Sequence, residues 1–345
     1  MLKKMTMLGV LLFALAACGP KSLPPIVEQG VVNEEARRQQ ELVVKDYMGR
    51  VQRVESIGYR LLRDNVDACG DMMQGRIGAA IYRSGDVARP YRDAVAFFWG
   101  IKDDVAKVVS VAPESPAESA GLKIGDEVVA LNGRPMSWTN TLYVASFRGD
   151  PVRITVVRDG KQEEIAVSPV RTCRFLLEMK EDPVINAFAN GDMIMVNSGL
   201  VKFTRTDDEL ALVLGHELAH NTMQHIDAKR NNAMIGTLIL DLPIALLTRV
   251  NPGVGNAAGA GAFSSDFETE ADYVGLYYTA KAGYGIRDVS ELWRRMAIEN
   301  PGAIYTTSTH PTTANRFVVL EAARQEIEAK KANGQPLEPN MKQRQ

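Results

Sequence analysis

Between Glu34 and Arg63 the apolar residues Val43, Tyr47, Val51, Val54, Ile57, Tyr59 and Leu61-Leu62 recur among charged positions with no proline. That spacing predicts one long helix ending near Asn65-Val66. The Gly-rich stretch from Asp67 to Arg92 holds a short strand at Ala79–Tyr82, and Val95–Phe98 and Ala106–Val111 read as further β-prone runs. A short helix ending at Gly121, a turn at Gly125-Asp126, a strand over Val128–Leu131 and a tight turn at Asn132-Gly133 follow in quick succession. Val152–Val157 and Glu163–Val167 alternate around Asp159-Gly160 as a hairpin. Beyond Cys173, Arg174–Met179 and Met193–Val196 read as strands, the second preceded by Asn186–Asp192 and closed by Asn197-Ser198-Gly199. Thr206 and Glu209 have capping-box spacing and open a helix expected to run to about Lys229; a further helix is predicted over Ser265–Ala282. Met234–Val250 is strongly apolar, but Asp241 and Pro243 interrupt it. A charge and a proline near the middle are costly in a membrane span. The segment is therefore read as two short buried helices or a flap, followed by a Gly/Ala/Asn-rich loop at 251–262. The polar tail after Asn333 reads as disordered.

Composition narrows the class. At about 150 residues per domain, 345 residues suggest about two domains. The balance of 40 basic and 42 acidic side chains, net −2, argues against a nucleic-acid partner. Lys3 and Lys4 precede an apolar run, Met5–Ala17, that is shorter than the roughly 20 residues a spanning helix needs. Residues 1–17 are read as a signal peptide. Leu15-Ala16-Ala17-Cys18 resembles the lipobox of bacterial lipoproteins. That resemblance implies lipidation of Cys18, a tether over 18–33 and membrane contact through acyl chains. By resemblance to enterobacterial lipoprotein sorting, Gly19 in place of an aspartate implies a periplasmic, lipid-anchored protein at the outer membrane rather than the inner one. Cys69 and Cys173 then remain, an even pair that in an oxidising compartment predicts one disulfide.

The chain has four histidines, and three of them, His216, His220 and His225, fall within ten residues. His216-Glu217-Leu218-Ala219-His220 is an HExxH motif on a predicted helix. Residues four apart share a helical face, so both imidazoles can reach one metal, and Glu217 can take a proton from water beside it. Zinc takes three protein ligands at such sites and lowers the pKa of its water to about 7. Glu268 in Phe267-Glu268-Thr269-Glu270-Ala271-Asp272 is the best third ligand. Asp272, four residues on, can receive the distal N–H of a ligand histidine. His225, five residues past His220 and rotated off that face, is expected to be structural.

HELAH, FETEAD and Thr309-His310-Pro311 with Arg316 together resemble the HtpX-type zinc metallopeptidases, a family that includes the CAAX prenyl proteases and BepA/LoiP-like periplasmic lipoproteases. The Asn186–Ala189 run and the Asn197–Leu200 turn match the family's approach to its active helix. The resemblance implies zinc ligation by His216, His220 and Glu268, with Glu217 as general base. It also implies that His310 stabilises the oxyanion or caps zinc at rest, and that Arg316 supports its loop through a carboxylate. Met193, Ile194, Met195 and Val196 would form a sheet edge to which an extended substrate adds. Residues 113–133 closely resemble a bacterial PDZ domain, with Thr139–Phe147 as its groove helix and Phe98-Trp99-Gly100-Ile101 as its carboxylate-binding loop.

The expected chain is α+β: a mainly helical zincin of the gluzincin type with a small edge-exposed sheet, plus an inserted PDZ-like β-barrel. Its layout is an N-terminal helix and start of the peptidase domain at 34–92, the insert at 93–170, the zinc peptidase at 171–332 and the tail at 333–345. Cys69–Cys173 would clamp the base of the insert. The expected function is endoproteolysis of misfolded or misassembled envelope polypeptides with one Zn2+ per chain. The alternative is an envelope chaperone or assembly factor whose proteolysis is secondary or autoinhibited. No sequence signal specifies an oligomeric state.

Overall fold

A computed structural model describes residues 25–136, 150–248, 253, 264–299, 301 and 314–341. The signal peptide with Cys18, the groove-helix segment 139–147, His310 and the loop at 251–262 apart from Gly253 lie outside the described residues.

Helix α1 spans Gln29–Asp64. Residues up to Val43 form a unit of their own, and those described there are exposed. From Val44 onward, Val44, Tyr47, Met48, Val51, Val54, Ile57, Leu61 and Leu62 are buried at the three- and four-residue spacing of an amphipathic helix. Strand β1 (Met73–Arg76) pairs antiparallel with β8 (Val170–Cys173), Met73 opposite Cys173. Beside this pairing Cys69 and Cys173 are joined, their Cα atoms 5.6 Å apart. The chain therefore leaves and re-enters the main body at one cross-linked point.

Between these strands lie β2 (Ala79–Tyr82), α2 (Arg92–Trp99), β3 (Ala106–Val111), α3 (Pro116–Ser119), β4 (Glu127–Leu131), β5 (Arg134–Pro135), β6 (Val152–Arg158) and β7 (Lys161–Val167). The sheet order is β2-β3-β4-β6-β7, with β5 paired to β4. Both tight turns take left-handed backbone, Asn132 and Gly133 at φ 49° and 73° and Asp159 and Gly160 at 51° and 76°. Such turns match the twist of the flanking strands. Ile77, Ile81, Val108, Ala117, Leu122, Val128, Ile154, Val156 and Ile165 fill one core.

Two expectations fail here. The sheet starts at β2, upstream of residue 93. Residues 95–98 are helical: Val95 is buried, Phe97 is 71% exposed, and Gly100 at φ 66° stops the helix in the left-handed region. Ile101 packs with Tyr47, Met48, Val51 and Val95 in a separate small core. Residues 98–101 thus close a helix just before β3, whose Val109 shares that small core with Ile101.

Strands β9 (Leu176–Lys180), β10 (Ala187–Ala189) and β11 (Met193–Asn197) follow in the order β10-β11-β9. β11 pairs antiparallel with β10 and parallel with β9. Met193, Ile194, Met195 and Val196 are therefore interior to the sheet, not an edge, because the segment after Cys173 occupies their second side. The outer strand next to the helix that carries His216 and His220 is β10.

Helix α4 (Ser198–Phe203) leads to α5 (Asp207–Thr222). Thr206 accepts from the Glu209 N–H, but the Glu209 carboxylate turns to the Arg205 N–H and to Arg295, so only half of the capping box forms. Helix α5 stops at residue 222, short of Lys229. Gln224 at φ 56° breaks it, and α6 (His225–Gly236) departs in a new direction. A π turn at Thr237–Asp241 and α7 (Leu242–Thr248) complete the apolar segment. Met234, Ile235, Leu238, Ile239, Leu242 and Leu246 are exposed rather than buried. Among the described residues no helix is long and apolar enough to cross a membrane. Helices α8 (Ser264–Lys281), α9 (Val289–Glu299) and α10 (Ala314–Ala332) finish the body. The tail to Met341 is ordered against it. Leu337 packs on the main core, the Asn340 N–H donates to Tyr273 at 2.8 Å, and its side chain donates to Glu326 at 2.7 Å.

Candidate metal centre

Helix α5 carries His216, Glu217 and His220, and all three are buried. Leu210, Val213, Leu214 and Leu218 bury the rest of the helix, so its polar residues sit inside the protein. Helix α8 crosses α5 at two glycines. A Cβ on Gly215 would fall 2.8 Å from the Gly275 carbonyl oxygen, and one on Gly275 would fall 2.7 Å from His216 Cα. This backbone-to-backbone approach is closed to any larger residue. It brings Glu268 and Asp272 against the two histidines.

The His216 and His220 Nε2 atoms are 3.1 Å apart. Glu268 Oε2 lies 3.4 Å from His216 Nε2, and Oε1 lies 3.4 Å from His220 Nε2. Ligand atoms of the three residues fall within 4.8 Å of one another, and all three side chains are buried. Two imidazole nitrogens and a carboxylate converging in this way suit a divalent metal of borderline softness. Lys229 approaches Glu268 from outside, Nζ to Oε1 3.7 Å.

Behind the cluster, His216 Nδ1 lies 3.0 Å from Asp272 Oδ1. Arg316 grips Asp272 with two donors, Nε to Oδ2 at 2.5 Å and Nη2 to Oδ1 at 2.7 Å. Its guanidinium lies over the Trp293 ring at 4.6 Å, and Trp293 meets the His216 ring edge-on. Burial would raise the Asp272 carboxyl, but the adjacent Arg316 charge overcomes it and holds the group below the usual range. Burial would likewise depress His216. Hydrogen bonding to Asp272 and Glu268 wins and holds the metal-free imidazole at about 9.

The structure thus brings together His216, Glu217, His220, Glu268, Asp272 and Arg316 from three helices. His225, expected to be structural, also lies against the cluster. His225 is 1% exposed, with Nδ1 3.0 Å from His220 Nδ1 and Nε2 2.9 Å from Glu270 Oε2. The helix break at Gln224 returns it to the site. A continuous helix would have carried it away, and periodicity alone does not reveal the break.

Comparison with known proteins agrees with this geometry. The profile of peptidase family M48 matches residues 173–324, and that of the PDZ domain matches 78–168. The mitochondrial metalloendopeptidase OMA1 of Schizosaccharomyces pombe is 32% identical over 174 residues, 48% of this chain and 52% of that protein. The β-barrel assembly-enhancing protease of Yersinia pestis is 29% identical over 128 residues, 33% of this chain and 26% of that protein. The chain therefore spans about half or less of the length of these relatives. Among solved structures, the HtrA3 PDZ domain bound to a phage-derived ligand is 24% identical and covers 29% of this chain and 88% of its own, with a TM-score of 0.23. An α+β chain that folds a sheet over 79–167 and a buried His-His-Glu cluster behind it carries a PDZ domain followed by a metallopeptidase domain of family M48.

Proposed function

We propose that the protein is a zinc-dependent endopeptidase acting on polypeptides. The observation that carries this reading is the convergence of ligand atoms of the buried His216, His220 and Glu268 within 4.8 Å of one another, with Glu217 on the helix of the two histidines. These three residues would hold the metal. Zinc at such a site supplies Lewis acidity that makes water a nucleophile near neutral pH. Glu217 takes the proton from that water on its carboxylate and passes it to the leaving amine. Arg316 and Asp272 hold the His216 ring in place while this happens. An extended substrate adds to β10 at Ala187–Ala189, the outer strand beside α5, in place of the interior strand β11. The PDZ domain recruits or regulates polypeptide substrates. His310, outside the described residues, serves as oxyanion donor or resting-state cap.

The lipobox at Leu15–Cys18 and the Cys69–Cys173 bond support an extracytoplasmic location, anchored at Cys18 on the periplasmic face of the outer membrane, with envelope polypeptides as substrates. The decisive experiment is Glu217→Gln. We expect it to abolish cleavage of an unfolded polypeptide such as reduced casein, while about one zinc per chain and the native circular dichroism remain. Retained cleavage would refute the mechanism. Wild-type protein that binds no zinc would refute the metal assignment.

A further inference from the structure

The two ligand histidines are supported by different means. His216 turns Nε2 to the metal pocket and Nδ1 directly to a carboxylate, Asp272, at 3.0 Å. His220 also turns Nε2 inward, 3.1 Å from His216 Nε2, but its Nδ1 meets another imidazole, His225 Nδ1, at 3.0 Å. The opposite nitrogen of that second ring, Nε2, lies 2.9 Å from Glu270 Oε2. His225 is enclosed, and Phe267 lies against its ring, centroids 4.8 Å apart and planes inclined by 33°. Phe267, Glu268 and Glu270 share one helix, so the groups that hold His225 flank the metal ligand Glu268.

The proton inventory follows from these contacts. A neutral imidazole that offers Nε2 to a metal carries its proton on Nδ1. For His220 that N–H faces the Nδ1 of His225 at 3.0 Å, which accepts it in its unprotonated form. The His225 proton is thereby confined to Nε2, where the Glu270 carboxylate accepts it. One carboxylate thus sets the tautomer of two rings in series.

We propose that His225 and Glu270 are positioning residues for the metal ligand His220, fixing its tautomer and ring orientation as Asp272 fixes His216. This rests on the reading that His216, His220 and Glu268 hold zinc. The left-handed Gln224 is what makes the arrangement possible, since it turns α6 so that its first residue points back at α5. Partners behind metal-bound histidines typically contribute 10- to 100-fold in affinity.

The test measures zinc affinity by competition with a chromophoric chelator, and Co2+ absorption in the same variants, alongside the melting temperature of each metal-free protein. His225→Phe keeps a flat ring against Phe267 but removes the acceptor. His225→Asn places an amide oxygen near the lost Nδ1. We expect His225→Phe to weaken zinc binding about 10- to 100-fold and to alter the Co2+ ligand-field bands. His225→Asn should recover most of that affinity, and Glu270→Gln should lose less than His225→Phe. A purely structural His225 would instead lower the metal-free melting temperature and leave zinc affinity and the Co2+ spectrum within about twofold of wild type, which would overturn the proposal. Glu268→Gln separates the two readings. If wild-type zinc binding is unaffected by Glu268→Gln, the metal site itself is misassigned and the proposal falls with it. If Glu268→Gln abolishes binding while His225→Phe does not, the proposal falls alone.

Discussion

Two buried aspartates, one in each domain, are held by an arginine in almost the same way. In the PDZ domain Asp126 receives Arg158 Nε at 2.7 Å and Nη2 at 2.6 Å. In the peptidase domain Asp272 receives Arg316 at 2.5 and 2.7 Å. Both carboxylates are buried, at 3% and 2% exposure. The pairs differ in what else the carboxylate meets. Asp126 Oδ2 accepts the Lys123 N–H at 2.8 Å, and Arg158 reaches the Gly121 carbonyl oxygen, so the pair ties a turn to a strand. Asp272 Oδ1 faces His216 Nδ1, and Arg316 also approaches Glu268, Nη1 to Oε2 3.5 Å. A buried ion pair is therefore not by itself a sign of chemistry. Its meaning lies in whether the next group along is backbone or a ligand.

The strongest way to break this comparison is to neutralise both aspartates. Asp272→Asn should reduce zinc affinity by about 10- to 100-fold and peptidase activity with it, because the His216 ring loses its anionic partner. It should also lower stability, since Arg316 keeps its charge in a buried place. Asp126→Asn should cost less, about 1–3 kcal/mol of unfolding free energy, because it weakens two charge-assisted hydrogen bonds while Arg158 keeps Glu163 at 3.5 Å. Its zinc affinity should stay that of wild type. Chelator competition and urea unfolding on the same two variants check both. Comparable loss of zinc affinity in Asp126→Asn would end the distinction between a pair that holds a turn and a pair that holds a ligand.

The residues of this site differ in how far the sequence exposes them. HExxH and the Glu268/Asp272 spacing are local facts about helices, and one helical period suffices to put each pair on a face. The contact between α5 and α8 is not local. It depends on Gly215 and Gly275 removing the side chains that would hold the helices apart, and a glycine inside a helix carries no sign of what it approaches. The contact between His225 and His220 is hidden for the same reason in a sharper form. Its place depends on one left-handed residue, Gln224, in a stretch that otherwise reads as continuous helix. Strand order is similarly hidden. Met193–Val196 has the right pattern for a strand, but only the tertiary fold determines that Leu176–Lys180 takes its second side. The turns of the PDZ domain were legible because Asn-Gly and Asp-Gly name their own backbone geometry.

A third carboxylate sharpens the comparison by lacking the bidentate arginine. Glu55 of α1 lines a small cavity with Tyr59, Arg76, Ile77 and Ser110, where the long helix meets the first strand of the PDZ sheet. It accepts from the Tyr82 hydroxyl at 3.4 Å. Burial pushes its carboxyl up to about 7, and the nearby Arg76 charge and the Tyr82 hydrogen bond only partly oppose this. The native state therefore holds a proton on Glu55 that the unfolded chain releases above its ordinary value of 4.5. Its contribution is fully present below about 4.5, is lost as pH rises towards 7, and stays lost above that. With one pKa unit equal to about 1.4 kcal/mol and Glu55 only partly shielded from solvent, the loss should be roughly 1–2 kcal/mol. Glu55→Gln mimics the protonated form and should stabilise the protein by that amount at pH 8 while matching wild type at pH 4.5. Urea unfolding of both proteins across that range measures the difference directly. A gap independent of pH would mean that Glu55 is ionised in the folded protein, and that an arginine need not grip a buried carboxylate with two donors to keep its charge.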